Sequence, residues 1–321
     1  MMASIAVLIP CHNEEATIAT VVRDFRAALP NADIFVYDNN SSDKTIEEAR
    51  KAGAIVRSER LQGKGNVVRR MFADIEADVF VLVDGDDTYD AASAPAMVDR
   101  LLRDSFDMVT AVRVATSDRA YRPGHRSGNA LLTKVVAYIF GDRSQDMLSG
   151  YRVFSRRFVK SFPALAAGFE IETELTVHAL ELRLPIAEVP TPYTERPAGS
   201  QSKLRTYRDG AKILRTIFQL VKEEKPLEFF FGVFCALVIT AVVLLIPVFI
   251  TYYETGLVPR LPTAILGASI ILLAFLSLTC GFILDTVTRG RKEVKRLHYM
   301  SVPIRFSALK QRKPSELRAA E

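Results

Sequence analysis

The acidic segment Asp84-Gly85-Asp86-Asp87 contains the residues best suited to chemistry in this sequence. The carboxylates of Asp84 and Asp86 are hard oxygen ligands, the kind that Mg²⁺ or Mn²⁺ prefers when it bridges two phosphates. Gly85 between them lets the backbone turn sharply. Most acidic loops are only solvated turns, but this one directly follows the apolar run at residues 79–83. Its position at the end of a buried strand favours a metal site at Asp84 and Asp86.

Short β-branched runs alternate with helical patterns in the first part of the chain. Predicted strands cover residues 4–9, 33–37, 54–58 and 79–83, and predicted helices cover residues 14–28, 43–52 and 65–75. This alternation predicts an α/β fold with a Rossmann-like, mostly parallel sheet and helices on both faces. Ligands of such sheets gather at the carboxyl ends of the strands.

Polar clusters follow the first two predicted strands at the positions where those strands end. The clusters are His12-Asn13-Glu14 and Asp38-Asn39-Asn40. Because the carboxyl ends of parallel strands meet at one edge of the sheet, we expect both clusters to lie beside the acidic segment. The three strand ends together predict one binding site.

An ordered set of motifs gives the sequence a family resemblance. The early motifs are Pro10-Cys11-His12-Asn13-Glu14, Asp38-Asn39-Asn40-Ser41-Ser42-Asp43, Gly63-Lys64-Gly65 and Asp84-Gly85-Asp86. The later ones are Asp146-Met147-Leu148-Ser149-Gly150-Tyr151-Arg152, Phe169-Glu170-Ile171-Glu172 and Gly199-Ser200-Gln201-Ser202-Lys203. The early set resembles inverting family 2 glycosyltransferases with the GT-A fold. The later set, followed by two apolar runs, resembles polyprenyl-phosphate glycosyltransferases related to dolichyl-phosphate mannose synthase.

The resemblance implies a role for each matching residue. Nucleotide-sugar binding is expected at Pro10, Asn13, Glu14, Asp38, Lys64, Asp84 and Glu172, and the metal, Mg²⁺ or Mn²⁺, at Asp84 and Asp86. Catalytic roles are expected at Asp86, Asp146 and Arg152, and acceptor-phosphate binding at Arg113, Arg126 and Lys203. Two positions depart from the family pattern. Asn39 replaces a second acid, so base or ribose recognition can differ, and Thr88 replaces a Gln that often helps to hold the metal, which leaves Thr88 or Asp87 as the substitute ligand.

The acceptor that the resemblance implies is a phosphate monoester on a polyprenyl chain. Its second pKa is about 6, so near neutral pH it is already a nucleophile and needs positioning cations more than a general base. The candidate cations are Arg113, Arg126, Arg152 and Lys203, and the guanidinium of an Arg can grip phosphate in a bidentate fork. Asp146 could orient Arg152, contact the sugar or act as a base, and the sequence leaves these roles open. Glu170 and Glu172 share one face of an extended segment or else begin a helix.

Two apolar runs, at residues 229–250 and 261–284, are each long enough to cross a bilayer as a helix. Basic residues flank the pair on both sides and the connection has little charge, so both flanks and both termini are expected in the cytoplasm. The expected domains are a GT-A domain at residues 1–205, an amphipathic helix at 206–226, a transmembrane hairpin at 227–285 and a basic tail at 286–321. The amphipathic helix suits either the membrane interface or packing on the domain.

The composition narrows the function classes. The net charge of +5 is modest and its excess flanks the apolar runs, which favours an anionic membrane surface over nucleic acid as the partner. The chain has no Trp, which speaks against a processive polysaccharide synthase. Transfer of glucose from UDP-glucose to undecaprenyl phosphate is the specific expectation. A glycosyltransferase acting on a lipid-linked saccharide or glycerolipid, a non-catalytic membrane scaffold and a homo-oligomer stay open.

Overall fold

The computed structural model of the protein describes residues 3–115, 136–139, 146–168, 170–194, 196, 215 and 218–303. These residues fall into two compact units. The α/β unit takes its described residues from positions up to 209 and from 295 onward, and the helical unit takes them from 210–294.

A seven-stranded sheet forms the centre of the α/β unit. Its strands are β1 (Ile5–Cys11), β2 (Asp33–Asp38), β3 (Ile55–Ser58), β4 (Val79–Leu82), β5 (Met108–Ala115), β6 (Arg152–Ser155) and β7 (Ile186–Tyr193). The strand order is β3-β2-β1-β4-β6-β5-β7, and only β6 runs antiparallel to its neighbours. The predicted α/β fold with a mostly parallel sheet is therefore confirmed.

Helices cover both faces of the sheet. They are α1 (Ile18–Ala28), α2 (Thr45–Lys51), α3 (Lys64–Asp74), α4 (Ala94–Arg103), α5 (Arg156–Ser161) and α6 (Ile171–Glu181). Alternate residues of β1 point to opposite faces. Val7 and Ile9 belong to an apolar cluster on one face, and Ala6 and Leu8 belong to a cluster on the other. Burial on both faces explains why the central strands are almost wholly apolar.

Helix α1 begins four residues later than the sequence pattern indicates. Asn13 has a φ of 53°, and a turn follows in which the Thr17 N–H donates to the carbonyl oxygen of Glu14. The Glu14 N–H donates to Thr45 Oγ1 at 2.8 Å, outside any helix. Glu14 therefore stays at the carboxyl end of β1 and close to the acidic segment.

The helical unit contains the long helix α7 (Pro226–Thr255) and most of the long helix α8 (Leu261–Ser301). Small residues let them pack closely, because a Cβ at Gly267 would lie 2.5 Å from Leu245 Cδ2 and one at Gly281 would lie 3.0 Å from Phe230 Cβ. Each helix contains a stretch that is long and apolar enough to cross a membrane, with mean hydropathy of 3.1 and 2.3. Most of the predicted amphipathic helix lies outside the described residues, although residues 218–224 are helical.

The C-terminal part of α8 departs from the expected separate tail at 286–321. The helix continues past residue 284, supported by the ion pair of Arg289 with Asp285. Within the α/β unit, Lys295 Nζ lies 2.6 Å from Glu181 Oε2, and the Tyr299 hydroxyl donates to Asp107 Oδ2 at 2.7 Å. The end of α8 is therefore part of the α/β unit.

Candidate active site

The acidic segment lies where β1, β2 and β4 end, because these strands are neighbours and parallel. Thr17 Oγ1 donates to the carbonyl oxygen of Gly85 at 2.6 Å and so holds the turn. A Cβ at Gly85 would lie 2.6 Å from the sulfur of Cys11, so the close approach of these two segments requires glycine. The backbone thus fixes Asp84 and Asp86 at the edge of the sheet.

Asp84 forms an ion pair with Lys64, the first residue of α3. The same Nζ lies 2.5 Å from Oε1 of Glu172, which stands in the first turn of α6. Burial alone would lower the pKa of Lys64, but the charges of the two carboxylates outweigh this effect. The net pKa of Lys64 is raised, so the amine stays charged. Burial also raises the pKa of Glu172, with the charge of Lys64 opposing it. Lys64 and Glu172, two predicted nucleotide-sugar residues, therefore meet at Asp84.

Gly150 packs directly against the carboxylate of Asp84. A Cβ on Gly150 would lie 2.3 Å from Asp84 Oδ2 and 3.1 Å from Lys64 Nζ, so no larger residue fits without displacing the acid. The Gly150 N–H donates to the hydroxyl of Tyr89 at 2.8 Å. The predicted motif at 146–152 is in this way brought next to the acidic segment.

Asp86 is almost fully buried, with 6% of its side chain exposed. Its Oδ1 accepts a hydrogen bond of 2.7 Å from the Thr88 hydroxyl, and its Oδ2 forms an ion pair with Arg196. Burial and the nearby charge of Asp84 raise the pKa of Asp86, whereas Arg196 and Thr88 lower it. Two close carboxylates that repel each other fit a divalent cation, which would relieve that repulsion. Thr88 donates its hydroxyl hydrogen bond to Asp86 and so helps to fix the orientation of this carboxylate.

Arg196 reaches Asp86 because the chain after β7 runs beside the acidic segment. The Thr194 N–H donates to the carbonyl oxygen of Thr88 at 3.0 Å, and Tyr193 pairs with Tyr89 in an antiparallel bridge. Arg196 was not among the residues predicted from the sequence. The available signal was a basic residue three positions beyond a strand end, at the edge of the sheet where the other polar clusters gather.

Asp146 is held by Arg113 in a bidentate ion pair. Arg113 Nε and one terminal nitrogen each lie 2.7 Å from a different oxygen of Asp146, and the Arg113 N–H donates to Oδ2 at 3.3 Å. Burial raises the pKa of Asp146, but the hydrogen bonds and charge of Arg113 outweigh it and hold the pKa below its usual range. The Arg113 guanidinium also lies 5.5 Å from the ring centre of Tyr193. Asp146 is thus a partner of Arg113, a pairing that the sequence did not indicate.

Arg152 requires a correction to the expected phosphate contact. The residue is fully buried in β6, with 0% exposure. Its guanidinium donates to the carbonyl oxygens of Ser149 and Met147 at 2.9 and 2.6 Å, and to Thr176 Oγ1 at 2.8 Å. A side chain engaged in this way cannot grip a phosphate, so Arg152 fixes the shape of the 146–150 loop instead.

The predicted nucleotide residues line the ends of β1 and β2. Pro10 lies opposite Tyr37 in the β1–β2 register. Asn13 Oδ1 accepts the Ser42 N–H at 2.8 Å, and both oxygens of Asp38 accept the Ser41 N–H, at 3.2 and 3.3 Å. The backbone of the 41–45 segment thereby fixes the two side chains at the sheet edge that also carries the acidic segment.

The hydrogen bonds of Asn39 explain why an amide stands at this position in place of the acid that is usual in the family. Its Nδ2 donates to the carbonyl oxygens of Glu59 and Leu61 at 2.9 and 2.8 Å, and its Oδ1 accepts the Gly63 N–H at 2.7 Å. An acid at this position would place negative charge against two carbonyl oxygens. Asn39 thus secures the loop that leads into Lys64.

Two predicted acceptor residues, Arg126 and Lys203, lie outside the described residues. Their role stays a prediction. The sequence allowed Glu170 and Glu172 either in an extended segment or at the start of a helix. The second alternative is correct, since α6 begins at Ile171 and Glu172 stands in its first turn.

Comparison with known proteins agrees with this geometry. The profile of Glycosyl transferase family 2 matches residues 6–162. Glycosyltransferase AglJ of Haloferax volcanii is 37% identical over 235 residues, which cover 71% of this chain and 75% of that protein. The chain belongs to glycosyl transferase family 2. The family resemblance drawn from the motifs is confirmed.

Two further relatives of this family 2 chain bear on its fold and chemistry. Another Haloferax volcanii protein, named Dolichyl-phosphate hexose transferase, is 29% identical over 221 residues, covering 69% of this chain and 95% of that protein. A crystal structure of glucosyl-3-phosphoglycerate synthase from Mycobacterium tuberculosis, in complex with Mn²⁺, UDP and glucosyl-3-phosphoglycerate, matches with a TM-score of 0.55 and 26% identity. The matched region covers 68% of this chain and 79% of the synthase chain. The GT-A-type fold is therefore confirmed.

Proposed function

We propose that this glycosyltransferase moves a hexose from a nucleotide sugar to a polyprenyl phosphate, with inversion at the anomeric carbon. One observation carries the proposal. Four described carboxylates at the site, those of Asp84, Asp86, Asp146 and Glu172, each form an ion pair with a cationic side chain.

The ion pair with Arg113 makes Asp146 a poor general base. An efficient base has a pKa near the working pH, whereas the pairing of Asp146 with Arg113 holds the pKa of Asp146 below its usual range and so further from neutral pH. Glu172 is buried against Lys64, and Asp84 and Asp86 are the expected metal ligands. An alcohol acceptor needs a base to remove its proton, but a phosphate monoester with a second pKa of about 6 does not. The site therefore suits an acceptor that is already ionised.

Each side chain has a definite task in this mechanism. The ends of β1 and β2, with Asn13, Glu14 and Asp38, bind the nucleotide. Asp84 and Asp86 would hold Mg²⁺ or Mn²⁺, which supplies positive charge to the departing diphosphate when bound. Arg113, oriented by Asp146, lies at the same edge of the sheet and binds the acceptor phosphate. Positioning of the two reactants and electrostatic stabilisation of the leaving group then supply most of the rate enhancement.

The relatives support the finer parts of the proposal. The name Dolichyl-phosphate hexose transferase states a lipid phosphate and a hexose. The related synthase binds Mn²⁺ and UDP. We therefore propose a divalent metal, a uridine nucleotide sugar such as UDP-glucose as donor, and undecaprenyl phosphate as acceptor.

The helical unit supports a membrane location for the reaction. We propose that α7 and α8 cross the bilayer as a hairpin, because few residues of their apolar stretches are buried inside the protein. Basic residues flank the hairpin on both sides, which favours a cytoplasmic location for the α/β unit and both termini, beside an anionic lipid surface. Single cysteines at Gly256 and Ser307, in a background without the three natural cysteines, test this arrangement. A membrane-impermeant thiol reagent should label position 256 from outside the cell and position 307 only after lysis, and the reverse pattern would contradict it.

A transfer assay tests the function. Full-length protein in detergent is incubated with Mn²⁺, undecaprenyl phosphate and a panel of nucleotide sugars, and lipid products are identified by mass spectrometry. We expect one hexosyl phospholipid product, lost by orders of magnitude in Asp86→Asn. The surface variant Asp99→Asn, which removes only an exposed partner of Arg103, is the matched control. Glycosylation of a lipid-linked saccharide or glycerolipid, with no transfer to polyprenyl phosphate, would overturn the proposal.

A further inference from the structure

Both proposed metal ligands are already engaged by cations of the protein. Lys64 pairs with Oδ1 of Asp84, and Arg196 pairs with Oδ2 of Asp86. The second oxygen of Asp84 is packed against Gly150, and the second oxygen of Asp86 accepts the Thr88 hydroxyl at 2.7 Å. An incoming cation therefore competes with Lys64 and Arg196 for these carboxylates.

The described residues supply few ligands to a metal ion that binds at Asp84 and Asp86. Within the described ranges, no group of three or more His, Cys, Asp and Glu side chains is arranged to hold a metal ion. Divalent magnesium and manganese prefer about six oxygen ligands, so two carboxylates leave most positions to water or to phosphate oxygens. Binding of the ion alone would exchange two ion pairs for an incomplete ligand set.

Arriving diphosphate changes this balance. Its oxygens supply further ligands to the ion, and its negative charge supplies new partners for the two displaced side chains. A buried cation that loses its carboxylate without a new partner destabilises the protein strongly. Lys64 is the more buried of the two cations, with 9% of its side chain exposed, and because Glu172 stays at 2.5 Å from its Nζ, the diphosphate replaces only the partner lost at Asp84.

We propose that Lys64 and Arg196 are exchangeable counter-ions that make metal binding conditional on the donor diphosphate. The inference rests on the proposed function, because it assigns the metal to Asp84 and Asp86. Before donor binding the two cations neutralise the carboxylates. When the metal and the diphosphate bind together, the cations leave the carboxylates for phosphate oxygens. The site therefore takes the ion and the nucleotide as one unit and binds either one weakly alone.

The local structure permits Arg196 to move. About a third of its side chain is exposed, and its backbone is secured two residues earlier by the Thr194–Thr88 hydrogen bond. The guanidinium can change partner while the segment beside the acidic loop stays in place. Lys64 is restrained differently, because Glu172 holds its Nζ when Asp84 is released. A short shift of the flexible Lys64 side chain is then sufficient.

Manganese binding measured apart from turnover tests the inference. Full-length protein in detergent is titrated with Mn²⁺ and the free ion is followed by electron paramagnetic resonance, without nucleotide and with saturating UDP. For the natural sequence, UDP should tighten Mn²⁺ binding by about tenfold or more, the effect of one charged hydrogen bond regained. In Arg196→Met, nucleotide-free Mn²⁺ binding should tighten by about tenfold, because the ion no longer competes with Arg196 for Asp86. The effect of UDP should shrink correspondingly.

Arg70→Met is the matched control, since Arg70 forms an exposed ion pair with Asp74 on α3. Its Mn²⁺ binding should equal that of the natural sequence in both conditions. Equal Mn²⁺ affinity with and without UDP in the natural sequence would overturn the inference, and this comparison needs no variant to fold. Unchanged or weaker nucleotide-free binding in a folded Arg196→Met would also overturn it. UDP-dependent Mn²⁺ binding without sugar transfer would instead contradict the proposed function and leave the counter-ion exchange standing.

Discussion

Arg113 grips Asp146 through two hydrogen bonds of 2.7 Å, one to each carboxylate oxygen. The pairing joins β5 to the loop that ends at Gly150, and it orients the guanidinium at the edge of the sheet that carries the acidic segment. A bidentate pair fixes a planar group in both position and angle. We therefore propose that Asp146 positions Arg113 and does not transfer a proton.

Replacing Asp146 with Asn tests this role. The variant keeps the shape of the side chain but weakens the grip on Arg113, so kcat/KM for the acceptor should fall by about ten- to hundredfold. The dependence of the rate on pH should keep its acid limb near pH 6, because that limb belongs to the acceptor phosphate. Initial rates from pH 5 to 8 check both points. Disappearance of the acid limb in Asp146→Asn would show that Asp146 is a base after all.

Replacing Gly150 with Ala tests the close packing around Asp84. The new Cβ would lie 2.3 Å from Asp84 Oδ2, so the carboxylate or the loop must shift. We expect turnover to fall by about tenfold or more, since a small misplacement of a reacting group has large kinetic effects. The control is Gly290→Ala in α8, where a Cβ meets nothing within 4 Å. Equal activity of both Ala variants would mean that the position of Asp84 is not critical.

Replacing Arg152 with Met separates a buried support from a substrate contact. The change leaves the carbonyl oxygens of Met147 and Ser149 without their buried donor, which costs about 1–3 kcal/mol for each unsatisfied group. The midpoint of thermal unfolding should fall together with activity. A variant that is as stable as the natural sequence but inactive would indicate that Arg152 contacts substrate.

His178 should make the α/β unit less stable in mild acid. Burial and the charge of Lys295 lower its pKa from 6.5 to about 3 in the folded protein. Between these values the unfolded chain binds the proton and the folded chain does not, so stability falls as the pH drops from about 6.5 to 3. At pH 5 the loss is roughly 2 kcal/mol, because each pKa unit corresponds to about 1.4 kcal/mol.

The variant His178→Phe should lose that part of the acid sensitivity, since its ring fits between Phe158 and Phe162 without titrating. Denaturant titrations at pH 5 and pH 8 measure the difference between the two proteins. An equal loss of unfolding free energy in both would assign the acid sensitivity to other groups.

Patterns within short stretches of sequence predicted the mostly parallel sheet correctly, and they indicated the edge of the sheet at which the polar residues gather. The apolar strand before Asp84 and the polar residues after β1 and β2 are local features, so periodicity and strand ends were sufficient to find them. Contacts between residues that are distant in the chain could not be predicted from these local patterns. Arg152 ends the 146–152 motif, and its sequence context predicts a cation that contacts the acceptor phosphate, but β6 inserts between β4 and β5 and buries it.

The pairing of Arg196 with Asp86 likewise depends on the bridge between Tyr89 and Tyr193, which no local pattern encodes. The length of α8 was underestimated for a related reason. Charged residues after position 284 read as a tail, whereas helical ion pairs and contacts of Lys295 and Tyr299 with the α/β unit extend the helix to Ser301.

The most direct test of the account compares two acceptors that differ only in the phosphate. Undecaprenyl phosphate and undecaprenol are offered to the full-length protein with the same nucleotide sugar and Mn²⁺, and initial rates are measured. Because the paired carboxylates of Asp84, Asp86, Asp146 and Glu172 leave no base among them for an alcohol, we expect transfer to the phosphate and a rate with the alcohol lower by about a thousandfold or more. Comparable rates with the two acceptors, or a preference for the alcohol, would contradict the account.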